Sequence, residues 1–500
     1  MAGTIEFSLP DNGDLIIGQE FLFTVILSSN ENIDDLSTIS FYNNKNITVP
    51  FGPIPLTLDH SKKTATATIT LTVPNSVTEN ENIYFSVKTS STGFPSKNLQ
   101  STARTIDSDS VRLHIDNPCL VIPISFTDSQ IGSILTKIHT ILRDKNGKSL
   151  SGVPVFIKSN ITNQLKEINI YHADKTTKIE IHEFDNHQGI FINSDEEGKL
   201  EFYISPKKAT SPIIQLSSTI PKSTDFKFAN DPIFIFVDDF KDYRQPLNIV
   251  TAINDNIKSE GESKFWVDMS PCDDHKLGDF LLFFVNDEYK YYIRILSNNE
   301  SEPCLKALPY FIFKKDEPSK LSYLLIKPSD NVIAKSSPTD VIYRGRKNQP
   351  WNDIDRTYEP CKVYSSFNVP IEQDGGINNQ KVSNHEHNLG DAGLFVKITG
   401  TNDKTDNTKV KLGSEIILNL YINSSTRTIT HSFKGNMPYQ PDKSGGETAI
   451  LTFGIPYDLL NNNLAFPYHD GEIYFDYQIG NDNDIDVTYG GIWSGHIVVF

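Results

Sequence analysis

The sequence predicts an all-β fold, a tandem of β-sandwich domains forming an elongated multidomain chain. Three observations carry that expectation. Residues 64–73 alternate strictly, with Thr64, Thr66, Thr68, Thr70 and Thr72 on one face and Ala65, Ala67, Ile69, Leu71 and Val73 on the other. That is the period of a half-buried antiparallel strand. Further short apolar or alternating runs at 21–27, 199–204, 280–285, 416–422 and 473–477 are bounded by Asn, Asp, Gly, Pro or Ser. Helical periodicity is nearly absent, and residues 456–460 read as a single helical turn.

Composition bounds what such a chain can do. At 500 residues, a soft prior of about 100–200 residues per domain gives roughly three to five domains. Thirty Phe and 20 Tyr can fill several cores. A formal charge of −17 repels phosphate backbones and anionic leaflets, so no nucleic-acid partner is expected. No run is apolar enough for a spanning helix, so no membrane span is expected either. The start lacks a basic region followed by an apolar one, so the expected location is cytoplasmic, or outside after release without a cleaved signal peptide. Cys119, Cys272, Cys304 and Cys361 are far apart and form no C-x-x-C pair. Buried thiols are favoured over a disulfide between Cys272 and Cys304.

Internal repetition orders the chain. The first module, 1–108, opens a strand with Ile17-Gly18-Gln19-Glu20-Phe21. It continues with Ala67, Thr70, Val73 and Pro74 at spacings of three, three and one, and then Ile83-Tyr84-Phe85. The last module, 391–500, repeats all three signatures in order. They are Leu412-Gly413-Ser414-Glu415-Ile416, then Ala449, Thr452, Ile455 and Pro456, then Ile473-Tyr474-Phe475. A weaker copy in 227–346 has Leu277-Gly278-Asp279-Phe280, Leu308-Pro309 and Leu321-Ser322-Tyr323. In each copy the Gly is expected in the tight turn before a strand, where it tolerates positive φ. Residues 347–390, with Gly375-Gly376, read as a linker, with a possible strand at 361–369. Residues 497–500 read as a closing strand.

The remaining module, 109–226, has a distinct pattern. Asp144 and Gly147 form a D-x-x-G turn after a strand, and Gly152, Val153, Val155 and Ile157 follow as a G-V-x-V-x-I element. Asp195, Gly198, Leu200 and Phe202 then mark a second turn and strand, with Ser194 before them. This resembles the bacterial Ig-like domain of the Big-1 family, found in invasin- and intimin-type adhesins. Ser194 stands where that family often has Thr, and Leu200 where it usually has Ala. The terminal modules are similar to Ig-like modules that accompany such domains. The resemblance implies tandem Ig-like β-sandwiches used as spacer, adhesin or assembly part, and no active site.

Several clusters could carry chemistry, each against a plainer reading. Asp482, Asp484 and Asp486 have the D-x-D-x-D spacing of calcium ligands. Val487 and Trp493 stand where an EF-hand needs Gly and Glu, so an acidic hairpin tip competes with a noncanonical calcium site. No other cofactor is expected. His172, His182 and His187 could converge on a metal, or belong to a solvated insertion; His385 and His387 could share a strand face, or lie in a polar linker. Ser494 and His496 lack an assigned acid, and Trp266, Trp351 and Trp493 read as anchors rather than sugar platforms. No nucleophile elbow, P-loop or dinucleotide fingerprint occurs. The expectation is therefore a non-enzyme, an adhesion, binding or structural chain whose partner is a protein or glycan surface, or itself. The alternatives are a self-assembling or toxin-associated intracellular component and a carbohydrate-active protein with its site in 227–390.

Overall fold

Alternation in the sequence becomes alternation in burial. Along the strand Glu20–Ser28, Phe21, Phe23, Val25 and Leu27 are fully buried while the residues between them are half-buried. The facing strand Thr64–Thr72 pairs with it residue for residue, Phe21 opposite Leu71 and Leu27 opposite Ala65. The computed structural model describes residues 3–160, 164–208, 213–238, 242–270, 275–296, 304–327, 332–403, 405–480 and 487–500.

The fold is all-β, a series of Ig-like sandwiches, each filled by apolar side chains. The first core is built around Phe21, Phe23, Phe85 and Leu99, and the second around Val155, Ile157, Phe202 and Ile235. A third gathers Phe265, Leu281, Phe283 and Leu325, and a fourth Leu394, Leu418, Phe475 and Trp493. Two compact units contain them, Met1–Asp239 with the first pair of cores and Phe240–Phe500 with the second.

Closure follows one rule throughout: an early strand runs parallel to the closing strand. In the first sandwich Thr4–Phe7 pairs antiparallel with Glu20–Ser28, and Gly13–Ile16 then crosses to the other sheet beside Lys97–Arg104, parallel to it. The fourth repeats this, Lys362–Ser365 against Ala392–Thr401 and Gly376–Asn378 parallel to Trp493–Val498. Cys119–Ile122 runs parallel to Ile233–Val237, and Asn256–Ser259 to Thr339–Arg346.

The repeat glycines occupy the expected conformation, with φ of +80° at Gly18, +94° at Gly278 and +82° at Gly413. The helical turn forms at Tyr457–Leu460. Two sequence boundaries differ from the cores. Residues 347–390 are not a free linker, because Cys361, Val363, Ile371, Ile377 and Val382 lie in the fourth core. The second core reaches Ile235, since the strand that closes it lies beyond residue 226. The expectation of four thiols is also corrected. Cys119 and Cys361 are buried and free, whereas Cys304 is disulfide-bonded; Cys272 lies outside the described residues.

Candidate functional site

Among the described residues, the histidine and Ser494 clusters singled out in the sequence do not assemble into a metal or catalytic centre. Asp482, Asp484 and Asp486 lie outside the described residues. His172 ends a strand of the four-stranded sheet of the second sandwich, while His182 and His187 lie on the two strands of a hairpin of its five-stranded sheet, opposite Gly189 and Phe184 respectively. His385 and His387 sit on a short helical turn rather than a strand. His385 stacks on Tyr457 with ring centroids 3.8 Å apart and shares a 2.8 Å hydrogen bond with Asp391. Ser494 donates to Asp374 at 2.7 Å and accepts from Gln373 at 3.0 Å. Among the described residues no group of three His, Cys, Asp or Glu could hold a metal ion.

What the side chains do build is a joint between sandwiches inside each unit. In the first unit the joint grows from the Gly18 turn. Positive φ at Gly18 lets Gln19 turn inward, where it is fully buried. Its Oε1 accepts from the Ile16 N–H at 3.0 Å, and its Nε2 donates to the Pro154 carbonyl of the second sandwich at 2.7 Å. Glu20 N–H donates to the Pro221 carbonyl at 3.0 Å, and Ser223 Oγ to the Ile17 carbonyl at 2.7 Å. Asp14 accepts from Arg104 at 2.9 Å and from the Ser151 N–H at 3.0 Å. Ile16 packs into the second core, so the joint is apolar beneath its polar rim. Such bonds are worth about 0.5–1.5 kcal/mol each, and leaving a buried partner unmet costs more.

In the second unit the segment from Arg346 to Arg356 lies as a strap on the outer face of the last seven-stranded sheet. The guanidinium of Arg346 sits over Trp351 (4.1 Å) and Tyr421 (5.0 Å) and donates to the Tyr421 hydroxyl at 2.8 Å. Asn348 donates to the Ile422 and Ile429 carbonyls at 2.7 and 3.0 Å. Arg356 donates to the Gly490 and Trp351 carbonyls and pairs at 3.1 Å with Asp476, whose side chain is only 1% exposed. The strap also holds the third sandwich, where Ser263 donates through N–H and hydroxyl to Asp353 at 2.7 and 3.0 Å. The cover explains why both faces of Glu415–Asn423 are buried.

The perturbed groups are structural in origin. Burial raises the Asp476 carboxyl, opposed by the nearby Arg356, and pushes the Cys361 thiol and Tyr477 hydroxyl up. Tyr310, stacked on Tyr343 at 5.1 Å, is raised to about 12 mainly by burial. In the exposed Asp406 turn, bonds from Lys409 and Thr408 lower the carboxyl to about 2. This arrangement positions domains. Sequence reasoning missed the joint residues. Gln19 stands where the last copy has Ser414, and that difference within an otherwise matched turn was the available signal.

No family model matches the chain, and no curated protein matches it. Three solved structures are similar to it at low identity. The D00-D0 domain of Intimin is 12% identical, covering 47% of this chain and all of that one, with a TM-score of 0.18. Domains 4–9 of the surface layer protein SbsC are 10% identical, covering 100% of this chain and 65% of that one, just under two thirds, with a TM-score of 0.19. The FN1-FN3 domains of chicken CNTN1 are 7% identical, covering 76% of this chain and 95% of that one, with a TM-score of 0.15.

Proposed function

We propose that this chain is a non-catalytic structural or adhesive protein, of the bacterial Ig-like kind that the Big-1-like module resembles. The observation that supports this most is the pair of joints. Gln19 in one unit and the Arg346–Arg356 strap in the other fix adjoining sandwiches by buried, satisfied hydrogen bonds. Ordering long polar side chains at a domain boundary costs conformational entropy. That cost is useful where relative domain position matters, as in a spacer that presents a binding surface. The proposed partner is a protein or glycan surface, or another copy of the chain. Calcium at Asp482, Asp484 and Asp486 stays part of this reading. Of the two locations expected from the sequence, the disulfide at Cys304 favours release into an oxidising compartment. The full chain should be screened on glycan and cell-surface protein arrays, alongside polysaccharide-turnover assays with residues 227–390 in view. Saturable binding without turnover is expected, and reproducible turnover would refute the reading.

A further inference from the structure

The strand Thr428–Asn436 pairs in unbroken register with Glu415–Asn423 and forms an edge of the last seven-stranded sheet. At the hairpin end the Ser424 N–H donates to the Arg427 carbonyl at 2.9 Å. Antiparallel alternation then aims the main-chain groups of Ile429, His431, Phe433 and Gly435 inward, and those of Thr428, Thr430, Ser432, Lys434 and Asn436 outward. All five outward residues are exposed. Among the described residues no strand lies on that side.

Other edges carry protection. Edge strand Glu288–Arg294 is broken by a bulge opposite Phe283 and Phe284. Along Thr448–Pro456 the Asp442 segment takes up edge groups, with Asp442 N–H donating to the Thr448 carbonyl and Ile450 N–H to the Asp442 carboxylate. The first sandwich ends one sheet in the two-residue strand Ile54–Pro55, whose proline cannot donate.

We propose that Thr428–Asn436 is an association edge for a second copy of this chain, the two strands pairing antiparallel about Ser432. The sequence is self-complementary in that register. Ser432 meets Ser432 of the other copy, Thr430 meets Lys434, and Thr428 meets Asn436. On the other face His431 meets Phe433 twice, an aromatic pair of the kind that stabilises sheets. No like charges oppose each other, and residues 424–441 contain no acid in a chain of net charge −17. This deepens the structural reading above by naming a partner. The edge buries little area, so association is weak and concentration-dependent.

Self-association needs no added ligand to be read: the full chain is followed by light scattering up to about 100 μM, the range in which weak interfaces register. A reversible dimer is expected. S432P removes an outward N–H and spares the inward main-chain bonds but also loses the 2.7 Å bond from the Ser432 hydroxyl to Asn419, so it is read against S432A, which loses the same hydroxyl: S432P should weaken dimerisation at least about tenfold relative to S432A. S432C should form a disulfide-linked dimer under mild oxidation, whereas T428C should not, its two copies lying about 27 Å apart at 3.4 Å per residue. A monomer throughout, a dimer indifferent to S432P, or equal cross-linking of T428C would each overturn the proposal. Binding of an extended peptide by a persistently monomeric chain would reassign the edge to another protein. Turnover of a polysaccharide would instead refute the non-catalytic reading and leave the edge as it stands.

Discussion

Replacing Arg356 by Ala should destabilise the last sandwich in a pH-dependent way. Among the described residues the guanidinium is the cation that pairs with Asp476, at 3.1 Å, and the carboxylate retains Asn419 at 3.1 Å after it is removed. Breaking a buried pair from one side costs about 3–5 kcal/mol, because the remaining charge is stranded. For a domain of this size that is a fall of roughly 10 °C in melting temperature. The sign of the pH effect follows from burial. Burial already holds the Asp476 carboxyl above the usual aspartate value in the folded state, against the pull of Arg356. The native state therefore binds the extra proton between the usual value and the raised one, and stability falls as pH rises through that window. Without Arg356 the folded pKa rises further, so the loss should be large at pH about 8 and partly recovered near pH 5. R356A, D476N and the double variant, followed by thermal and urea denaturation at both pH values, form a cycle. The double variant should regain much of the loss. Equal destabilisation at both pH values, or a loss under about 1 kcal/mol, would refute the account of a stranded carboxylate.

Other perturbations test other parts of the molecule. Q19A should cost about 1–3 kcal/mol and separate the melting of the first two sandwiches, since it leaves the Ile16 N–H and Pro154 carbonyl unmet; one unshifted transition would count against the joint. A Cβ at Gly189 would lie 2.4 Å from the Phe156 ring and 2.5 Å from the Ile157 carbonyl, so G189A should cost at least about 2 kcal/mol by urea titration. Cys119 and Cys361 are buried with raised thiol pKa, so these two thiols should not react with a thiol reagent, read by mass spectrometry of their peptides, until the chain unfolds. Calcium chelation should lower the melting temperature of the last sandwich slightly, and an unchanged curve would remove Asp482, Asp484 and Asp486 as ligands.

Local features were the legible ones. The alternation at 64–73, the turn glycines Gly18, Gly278 and Gly413, and the pair Asp144 and Asp195 all act within a few residues. Both aspartates accept the expected turn bonds, Asp144 from Asn146 and Lys148, Asp195 from Glu197 and Lys199. Non-local features left no such trace. Gly376–Asn378 is a three-residue strand whose partner lies 120 residues later, so its Gly-rich sequence read as linker. Nothing near Asp476 in sequence marks it as buried, because the Arg356 that pairs with it lies 120 residues earlier. The histidines at 172, 182 and 187 are close in sequence yet divide between two different sheets, so proximity along the chain did not bring them to one site.

The parallel closure of each sandwich has a mechanical consequence. When a chain is stretched from its ends, tension that passes the first strand of a sandwich reaches the early parallel strand and leaves through the closing one. Because Gly13–Ile16 and Lys97–Arg104 run the same way, as do Gly376–Asn378 and Trp493–Val498, that tension slides the strands along each other. Sliding strains all the bridging hydrogen bonds together, whereas peeling would rupture them one at a time. Short parallel clasps of three or four residues can thus resist extension out of proportion to their length.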